Sequence, residues 1–466
     1  MVGEPGIGAS NVAIPRAPLS HPARTPLPPD DRLPGLPGPS PAPRVSPPVA
    51  RTNRVARAIA CCDILMSARG DVSGAKLAAE ALAAYQSLAA PEIGAFFDWL
   101  AAGCSSDPAD LRRSADEYCA DPSPATLLRL QRAGGTPRLE LFGRLNLAPG
   151  GTAALVEMRG RILRGLDEHP AWAAIEAELD RLLRSWFNHG FLVCRRIDAQ
   201  TPPEILEKLV QYEAVHKIRD RRDLLRRLES DRRCYGLFHP ALPDDPVIFT
   251  ELSLTRAMGA KVQPLLDADA PVVDAASCTV ALFYSISNCH EGLRGFSFGN
   301  SLIRLVVEEL RRELPRLKSF ATLSPIPGFR SWLARIADSG DGAPTHSALG
   351  DLLIALDVPD WRGDREQRAH LERELVPLCA HYLLRAKQGA EPADPVARFH
   401  LANGARLERI NWLGDISAAG LRRSAGMTVN YVYDLADLER NHEAYTTQGR
   451  VSAARRICTM ANRVIG

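Results

Sequence analysis

Three segments in the second half of the chain contain residue types that can do chemistry. The first is a loop with three glycines, Cys289 to Asn300, which reads C-H-E-G-L-R-G-F-S-F-G-N and precedes a helical stretch. Glycines let backbone N–H groups approach an anion closely, and a helix N-terminus favours negative charge. With Arg294 as a cation, the loop suits a phosphate group, although glycines before a helix also form ordinary turns. Its spacing matches neither a dinucleotide-binding G-x-G-x-x-G nor a Walker loop.

The other two segments each contain one candidate for proton chemistry. Residues 323–329, L-S-P-I-P-G-F, restrict the backbone with two prolines and so hold Ser324 in a defined place, unless the segment is only a structural turn. Residues 394–405, D-P-V-A-R-F-H-L-A-N-G-A, place His400 before an Asn-Gly turn, where it is either a proton donor or a packed or capping residue. Neither segment identifies a site on its own.

The first part of the chain shows the apolar spacing of helices. From residue 53 to residue 190 the apolar residues recur at helical intervals, broken by Asp and Ser-Pro pairs. The last stretch, 172–187, is long and amphipathic, and Gly190 is a plausible stop. This pattern predicts an all-α domain at 53–190 without a catalytic cluster.

After Gly190 the pattern changes to β-like runs that alternate with helical stretches, and this predicts a mixed α/β domain at 191–466. Its central unit is predicted as a strand at 279–286, a loop at 287–301, a helix at 302–313 and a strand at 320–323. This order would place the glycine loop at the N-terminus of a helix. The fold class is therefore predicted to be α+β.

Composition restricts the possible partners of the chain. A formal net charge of +2 gives no field that would favour nucleic acid, and no run of about 20 apolar residues could span a bilayer. Residues 1–52 are rich in proline and cannot pack a core, which predicts a disordered tail, with docking to an SH3-like groove as the alternative. The chain lacks a signal-peptide pattern and a transit helix, so a cytoplasmic protein is predicted. The cysteines lack C-x-x-C spacing, so no metal site is predicted, and the thiols are expected to be reduced and mostly packed, with a disulfide between subunits as the alternative.

Taken together and in this order, the motifs resemble those of the malonyl-CoA decarboxylase family. The resemblance covers essentially all of residues 190–445, and the helical region before it fits the N-terminal domain of the family. Besides the three segments, the matching motifs are Glu213-Ala214-Val215-His216, Asp223 to Leu228, Arg233-Cys234-Tyr235, Phe283 to Ser287, Ile410-Asn411-Trp412 and Asn430 to Tyr433.

The resemblance implies a fold, a site and an oligomer. It implies that the second domain resembles the GNAT-type N-acetyltransferase fold and that the helical domain forms homo-oligomers, as tetramers or dimers. Ser324 and His400 would be the catalytic residues. Malonyl-CoA would be bound by these two and by the loop residues Arg294, Gly295, Phe296, Ser297, Phe298, Gly299 and Asn300.

The implied reaction converts malonyl-CoA to acetyl-CoA and CO2, which would control malonyl-CoA in fatty acid metabolism. A carboxylate β to a thioester can leave its electrons in the thioester carbonyl, so no metal or organic cofactor is expected. Ser324 is expected to bind the carboxylate or relay its proton, and His400 to protonate C2, because an ordinary histidine is partly protonated near neutrality. The alternatives are a CoA-dependent acyltransferase and a non-catalytic CoA-binding scaffold.

Overall fold

The described part of the chain consists of residues 53–67, 71–338 and 344–463 of a computed structural model. The prediction of a disordered tail falls on residues 1–52, which lie outside the described residues. The described residues form one compact unit by their contacts.

Regular structure in the described residues up to Trp186 is helical. The α-helices are α1 (Arg54–Ser67), α2 (Asp71–Gln86), α3 (Ala90–Gly103), α4 (Pro108–Ala120), α5 (Pro124–Gly134), α6 (Pro137–Leu145), α7 (Gly151–Gly165) and α8 (Ala173–Trp186). Helices α4, α5 and α6 start in the same way, with proline at the first position and a capping side chain before it, from Asp107, Ser123 and Thr136 respectively. These side chains accept hydrogen bonds from first-turn amides, which otherwise have no partner.

The rest of the described chain mixes strands and helices. The strands are β1 (Val193–Ile197), β2 (Arg232–His239), β3 (Leu242–Thr255), β4 (Val280–Asn288), β5 (Ser319–Thr322), β6 (Ser324–Pro325), β7 (Lys387–Gln388), β8 (Glu391–Pro392), β9 (Arg406–Asn411) and β10 (Thr428–Val432). The helices are α9 (Pro203–Tyr212), α10 (Arg221–Arg227), α11 (Gln263–Leu266), α12 (Phe298–Glu313), α13 (Phe329–Asp338), α14 (Pro344–Asp357), α15 (Arg365–Arg385), α16 (Pro395–Ala402), α17 (Ala418–Ser424), α18 (Leu438–Gln448) and α19 (Arg455–Asn462). The predicted α+β class, with helices first and a mixed part second, is confirmed.

The main sheet is antiparallel except for one pair of strands. The order of its strands is β1-β2-β3-β4-β5-β10, and β9 pairs with the other edge of β10. The parallel pair is β4 and β5. A parallel pair needs a crossover connection, and α12 supplies it. Strands β7 and β8 form a separate small ribbon.

Strands β4 and β5 separate at the point where the site lies. Their register ends at Phe283 and Thr322, because the next residues on the β5 side, Ser324 and Pro325, form β6 and pair with β10 instead. Strand β4 continues alone on this side to Asn288. The divergence opens a gap in the sheet between β4 and β6.

Strands β4 and β5 are shifted by one or two residues from the predicted 279–286 and 320–323, and two helix boundaries also differ from the sequence prediction. Helix α12 begins at Phe298, inside the predicted loop, because the Phe298 side chain is buried and supplies an apolar contact that a loop would not. The long amphipathic helix ends at Trp186, and Gly190 lies in a short 3-10 turn after it rather than at the helix end.

Apolar packing joins the helical part to the mixed part. One core cluster lies among the first helices, around Phe96, Phe97 and Leu155. The larger cluster covers the sheet and α12, and it includes Val156 of α7 and Leu183 of α8. The helical part therefore helps to cover the core of the sheet.

Candidate active site

Ser324 occupies the first position of the two-residue strand β6. It pairs with Val429 of β10, and its side chain is 5% exposed. Pro325 follows in the same strand, where a missing N–H is tolerated because β6 is short and pairs on one side. The Ser-Pro segment is therefore not only a turn, since it holds the serine on the sheet beside β10.

His400 lies in the last turn of α16, and the start of this helix is strongly capped. The Asp394 carboxylate accepts from the amides of Val396 and Ala397 at 3.0 and 2.9 Å, with Pro395 at the first helical position. A cap of this kind sets where the helix begins, and so it sets which residues face the sheet six positions later. The histidine side chain is 4% exposed.

Asp394 also connects the segment that contains Ser324 with the segment that contains His400. Its second carboxylate oxygen accepts from the Gly328 amide at 3.4 Å and from the Tyr382 hydroxyl at 3.3 Å. A side chain at position 328 would collide with the Tyr382 hydroxyl, so glycine is required for this approach. Burial raises the pKa of Asp394 above its ordinary value, although its four hydrogen bonds act in the opposite direction.

Ser324 and His400 form a hydrogen-bonded pair. The Ser324 hydroxyl donates to Thr322 Oγ1 at 2.8 Å, and Ser324 Oγ lies 2.9 Å from His400 Nε2. Because a hydroxyl has one proton, the serine oxygen accepts from His400, which places the imidazole proton on Nε2. His400 Nδ1 then accepts from the Tyr433 hydroxyl at 2.7 Å. The ring also stacks on Tyr431, with 4.5 Å between centroids.

The protonation state of His400 differs from the sequence expectation. A partly protonated histidine near neutrality was expected, but burial lowers the pKa of His400 to about 3. Its close neighbours are hydroxyls and aromatic rings, which leave the imidazolium without a compensating negative charge. Without substrate, His400 is therefore a neutral imidazole.

A cavity of about 300 Å³ opens beside the pair, in the gap between β4 and β6. It is lined by Val215, Phe283, Tyr284, Ser285, Ile286, Asn288, Thr322, Ser324, Pro325, Pro395, Val396, Phe399 and His400. Apolar walls with a few polar groups are typical of small-molecule sites.

The glycine loop is close to this cavity but does not line it. Residues Arg294 to Asn300 are absent from the cavity wall, and the Arg294 side chain is 62% exposed. The link is Gly299: a Cβ there would overlap the ring of Phe399, which does line the cavity. The structure thus brings Ser324 and His400 together and places the loop behind Phe399.

The loop ends at a helix N-terminus without a side-chain cap. Gly295 has φ of 89°, which favours glycine, and Ser297 occupies the capping position of α12 without a side-chain hydrogen bond. Phe298, Gly299 and Asn300 form the first turn, whose amides have no carbonyl partner within the helix. Such amides can bind an anion.

Three residues next to the dyad were not predicted from the sequence as site residues. Thr322 accepts from Ser324, Tyr433 contacts His400 Nδ1, and Tyr431 stacks on its ring. Tyr431 lies on β10 and Tyr433 directly follows the last residue of that strand, so the alternation of aromatic residues in Asn430 to Tyr433 was the available signal.

The described ranges contain neither a candidate metal site nor a candidate membrane-spanning helix. No group of three or more His, Cys, Asp or Glu residues could hold a metal ion there. Within the same ranges, none of the helices has the length and apolar character needed to cross a bilayer.

The α+β fold and the buried serine–histidine pair beside a cavity are features typical of an enzyme. Comparison with known sequences identifies the group. The sequence model of the malonyl-CoA decarboxylase C-terminal domain matches residues 190–463, and that of the N-terminal domain matches residues 104–187. The chain belongs to the malonyl-CoA decarboxylase family.

Individual relatives agree with this membership. The chain is 36% identical over 353 residues to "Malonyl-CoA decarboxylase, mitochondrial" of Anser anser anser, which covers 70% of each chain. The solved malonyl-CoA decarboxylase of Rhodopseudomonas palustris is 46% identical, with a TM-score of 0.83, and the match covers 87% of this chain and 99% of that one. The solved enzyme of Agrobacterium vitis is 44% identical with the same TM-score and the same coverage.

Proposed function

We propose that the chain decarboxylates malonyl-CoA in the cavity between β4 and β6, with Ser324 and His400 as its catalytic residues. The observation that supports this most directly is the 2.9 Å contact between Ser324 Oγ and His400 Nε2 at the cavity wall. Both residues belong to motifs that resemble those of the family, and the cavity of about 300 Å³ lies at the lower end of the range of about 300–1,000 Å³ that is typical of small-molecule sites.

The chemistry needs a proton and an electron acceptor. The bond between C2 and the carboxylate carbon breaks, its electron pair moves into the thioester carbonyl, and CO2 leaves an enolate. A new C2–H bond then forms acetyl-CoA, so each turnover consumes one proton. The thioester holds the electron pair itself, and the chemistry therefore requires no cofactor.

The Ser324 hydroxyl is suited to donate a hydrogen bond to the malonyl carboxylate or to the enolate oxygen. Its proton points to Thr322 Oγ1 in the absence of substrate, and rotation of the hydroxyl redirects it to an oxygen in the cavity. A donor fixed beside the developing enolate stabilises the transition state more than the ground state. A covalent role for Ser324 is not needed, because decarboxylation has no acyl-enzyme step.

His400 suits the protonation of C2 once substrate is bound. Burial disfavours the imidazolium when no anion is near. The malonyl carboxylate brings a negative charge to the cavity, which raises the pKa of the histidine and favours uptake of the proton that the reaction consumes. Proton uptake is thereby coupled to substrate binding.

The loop from Arg294 to Asn300 is proposed to bind the CoA part of the substrate. The uncapped first turn of α12 offers amides to the phosphates, and the exposed Arg294 offers a charge. Phe399, between this turn and the cavity, would then separate the phosphate-binding region from the reacting thioester.

The direct test is incubation of the enzyme with malonyl-CoA alone, with and without a chelator. Equal amounts of acetyl-CoA and CO2 in both samples are expected. An acyltransferase would leave the substrate largely intact without an amine, and a scaffold would not consume it. Dependence on the metal would contradict the cofactor-free chemistry.

The residue assignment is tested with His400→Ala and Ser324→Ala. Loss of a general acid lowers kcat by about 10²- to 10⁴-fold, and a comparable loss is expected for the serine. His370→Ala is the matched control, because His370 is exposed on α15 and 52% of its side chain is accessible. Wild-type turnover by His400→Ala would refute the assignment.

Assembly and compartment follow as further proposals. We propose a homotetramer or homodimer formed through the helical residues 53–190, which light scattering of the purified chain would test. We also propose a cytoplasmic location. The similar proteins of Anser anser anser and Rattus norvegicus are named mitochondrial, so cell fractionation is the test that separates the two compartments.

A further inference from the structure

Arg159 of α7 lies between the helical part and the glycine loop, and it is 3% exposed. Its Nε and Nη2 donate to Glu176 at 3.0 and 2.6 Å, and Nη2 also donates to Asp180 at 2.9 Å. Its Nη1 donates to the backbone carbonyls of Gly292 and Arg294, at 2.6 and 3.2 Å. A guanidinium has five N–H groups, so every donor of Arg159 is used.

A second arginine from the helical part holds the next residues of the loop. Arg184 of α8 donates to the carbonyl of Gly295 at 3.3 Å. The ring of Phe296 then packs against both guanidinium groups, with its centroid 4.7 Å from the Arg184 Cζ and 5.4 Å from the Arg159 Cζ. These contacts fix the loop from position 292 to position 296.

Helix α7 and the loop are also in backbone contact. A Cβ at Gly160 would lie 3.2 Å from the Gly292 amide nitrogen, and a Cβ at Gly292 would overlap the Val156 carbonyl. Because no side chain separates the two backbones, the position of the loop depends directly on α7.

We propose that Arg159 is a positioning residue for acyl-CoA, because it holds the loop carbonyls that set where the first turn of α12 meets the phosphates. The inference rests on the proposed function, in which this loop binds CoA. It gives the helical part a direct role in substrate binding in addition to assembly.

The test compares two substrates of the full-length enzyme. Malonyl-CoA carries the phosphates, whereas malonyl-pantetheine has the same thioester without any phosphate. Arg159→Gln is expected to raise the KM for malonyl-CoA about 10-fold, which corresponds to about 1.4 kcal/mol, because glutamine cannot span both carbonyls. Its kcat, and the KM for malonyl-pantetheine, should change less than about two-fold.

Arg159→Gln removes the hydrogen bonds to Glu176, whereas Asp180 keeps those from Arg184, and a second variant covers the case in which this loss prevents folding. Arg184→Gln changes a side chain that is 51% exposed, so folding should be preserved. It is expected to raise the KM for malonyl-CoA alone, by about three-fold. Arg161→Gln on α7 is the matched control: its partner Glu157 is on the same helix, and neither KM should change.

The possible outcomes distinguish failure of the role of Arg159 from failure of the proposed function. Equal loss with both substrates, or loss in kcat alone, would overturn the positioning role of Arg159. If the wild-type enzyme had the same KM for both substrates, the loop would not bind phosphates and that part of the proposed function would fail. Absence of turnover with either substrate would refute the decarboxylase proposal itself.

Discussion

The polar groups around His400 form a short chain of hydrogen bonds inside an apolar setting. They run from Tyr433 through the imidazole to Ser324 and Thr322, and the backbone amide of Tyr431 donates to Thr322 Oγ1 at 3.2 Å. A fully satisfied buried network holds its members in one geometry. At the scale of the residue, the site is therefore arranged before substrate arrives.

Tyr433→Phe tests whether the Tyr433 hydroxyl stabilises the protonated form of His400. A protonated His400 would donate from Nδ1 to the Tyr433 oxygen, and a hydrogen bond to a charged group contributes about 1.5–3 kcal/mol. The variant should lower kcat about 10-fold and move the decline of kcat at high pH about one pH unit lower. Tyr431→Phe is the matched control, because the Tyr431 hydroxyl has no partner among the described residues while its ring stacks on His400. Identical pH profiles for both variants would contradict the role of Tyr433.

Burial of neutral His400 predicts a pH dependence of stability. Its pKa is about 3 in the folded chain against an ordinary 6.5, so between these values the unfolded state binds the extra proton. Stability should therefore be lost as pH falls from 6.5 towards 3, with a slope of about 1.4 kcal/mol per pH unit from this group. Urea unfolding of the wild type and of His400→Gln at several pH values would isolate the contribution of His400 to the free energy of unfolding. Parallel slopes for the two proteins would show that His400 is not buried as a neutral group.

At the scale of the element, the site depends on strands that separate and on helices whose starts are fixed. The change of partner after Thr322 opens the gap beside β4, and Asp394 sets the start of α16. The first turn of α12 lies so close to α16 that a Cβ at Gly299 would overlap the ring of Phe399. The start of α16 therefore lines the cavity, whereas the start of α12 lies on the far side of the Phe399 ring.

Gly299→Ala tests the contact between α12 and α16. The added methyl group overlaps the ring of Phe399, and forced overpacking typically destabilises a protein by about 1–3 kcal/mol. The matched control is Gly143→Ala in α6, where nothing lies within 4 Å of the new Cβ. Because alanine is the better helix former, this control should stabilise the protein by up to about 1 kcal/mol. Urea unfolding measures both, and equal effects would mean that the two helices do not touch at Gly299.

At the scale of the whole molecule, the helical part and the sheet form one unit. Val156 and Leu183 belong to the core cluster that covers the sheet, and Arg159 and Arg184 reach the glycine loop. Changes in α7 and α8 are therefore expected to alter the position of the glycine loop.

Removal of residues 1–52 is expected to leave turnover unchanged. This segment is rich in proline and poor in large apolar residues, so it is not expected to contribute to a core. A chain that starts at Asn53 should keep kcat and KM within about two-fold and the same unfolding midpoint. A large loss of activity, measured in the malonyl-CoA assay, would show that the tail takes part in catalysis.

Much of the fold and the candidate site could be predicted from local sequence. Helical spacing up to residue 187, β-like runs after it and the motifs around Ser324 and His400 are local patterns, and local patterns are what a sequence displays directly. The start of α12 at Phe298 was missed, because burial of that ring against the sheet outweighs the glycines around it.

The sequence by itself determined the family, the α+β order and the two residues on which the chemistry is proposed to depend. Only the tertiary structure decided which groups contact His400 and in which protonation state it is. Ser324 and Tyr433 are separated from it by dozens of residues, and its low pKa follows from burial, which exists only after folding. The same holds for Arg159, which lies more than a hundred residues before the loop that it contacts.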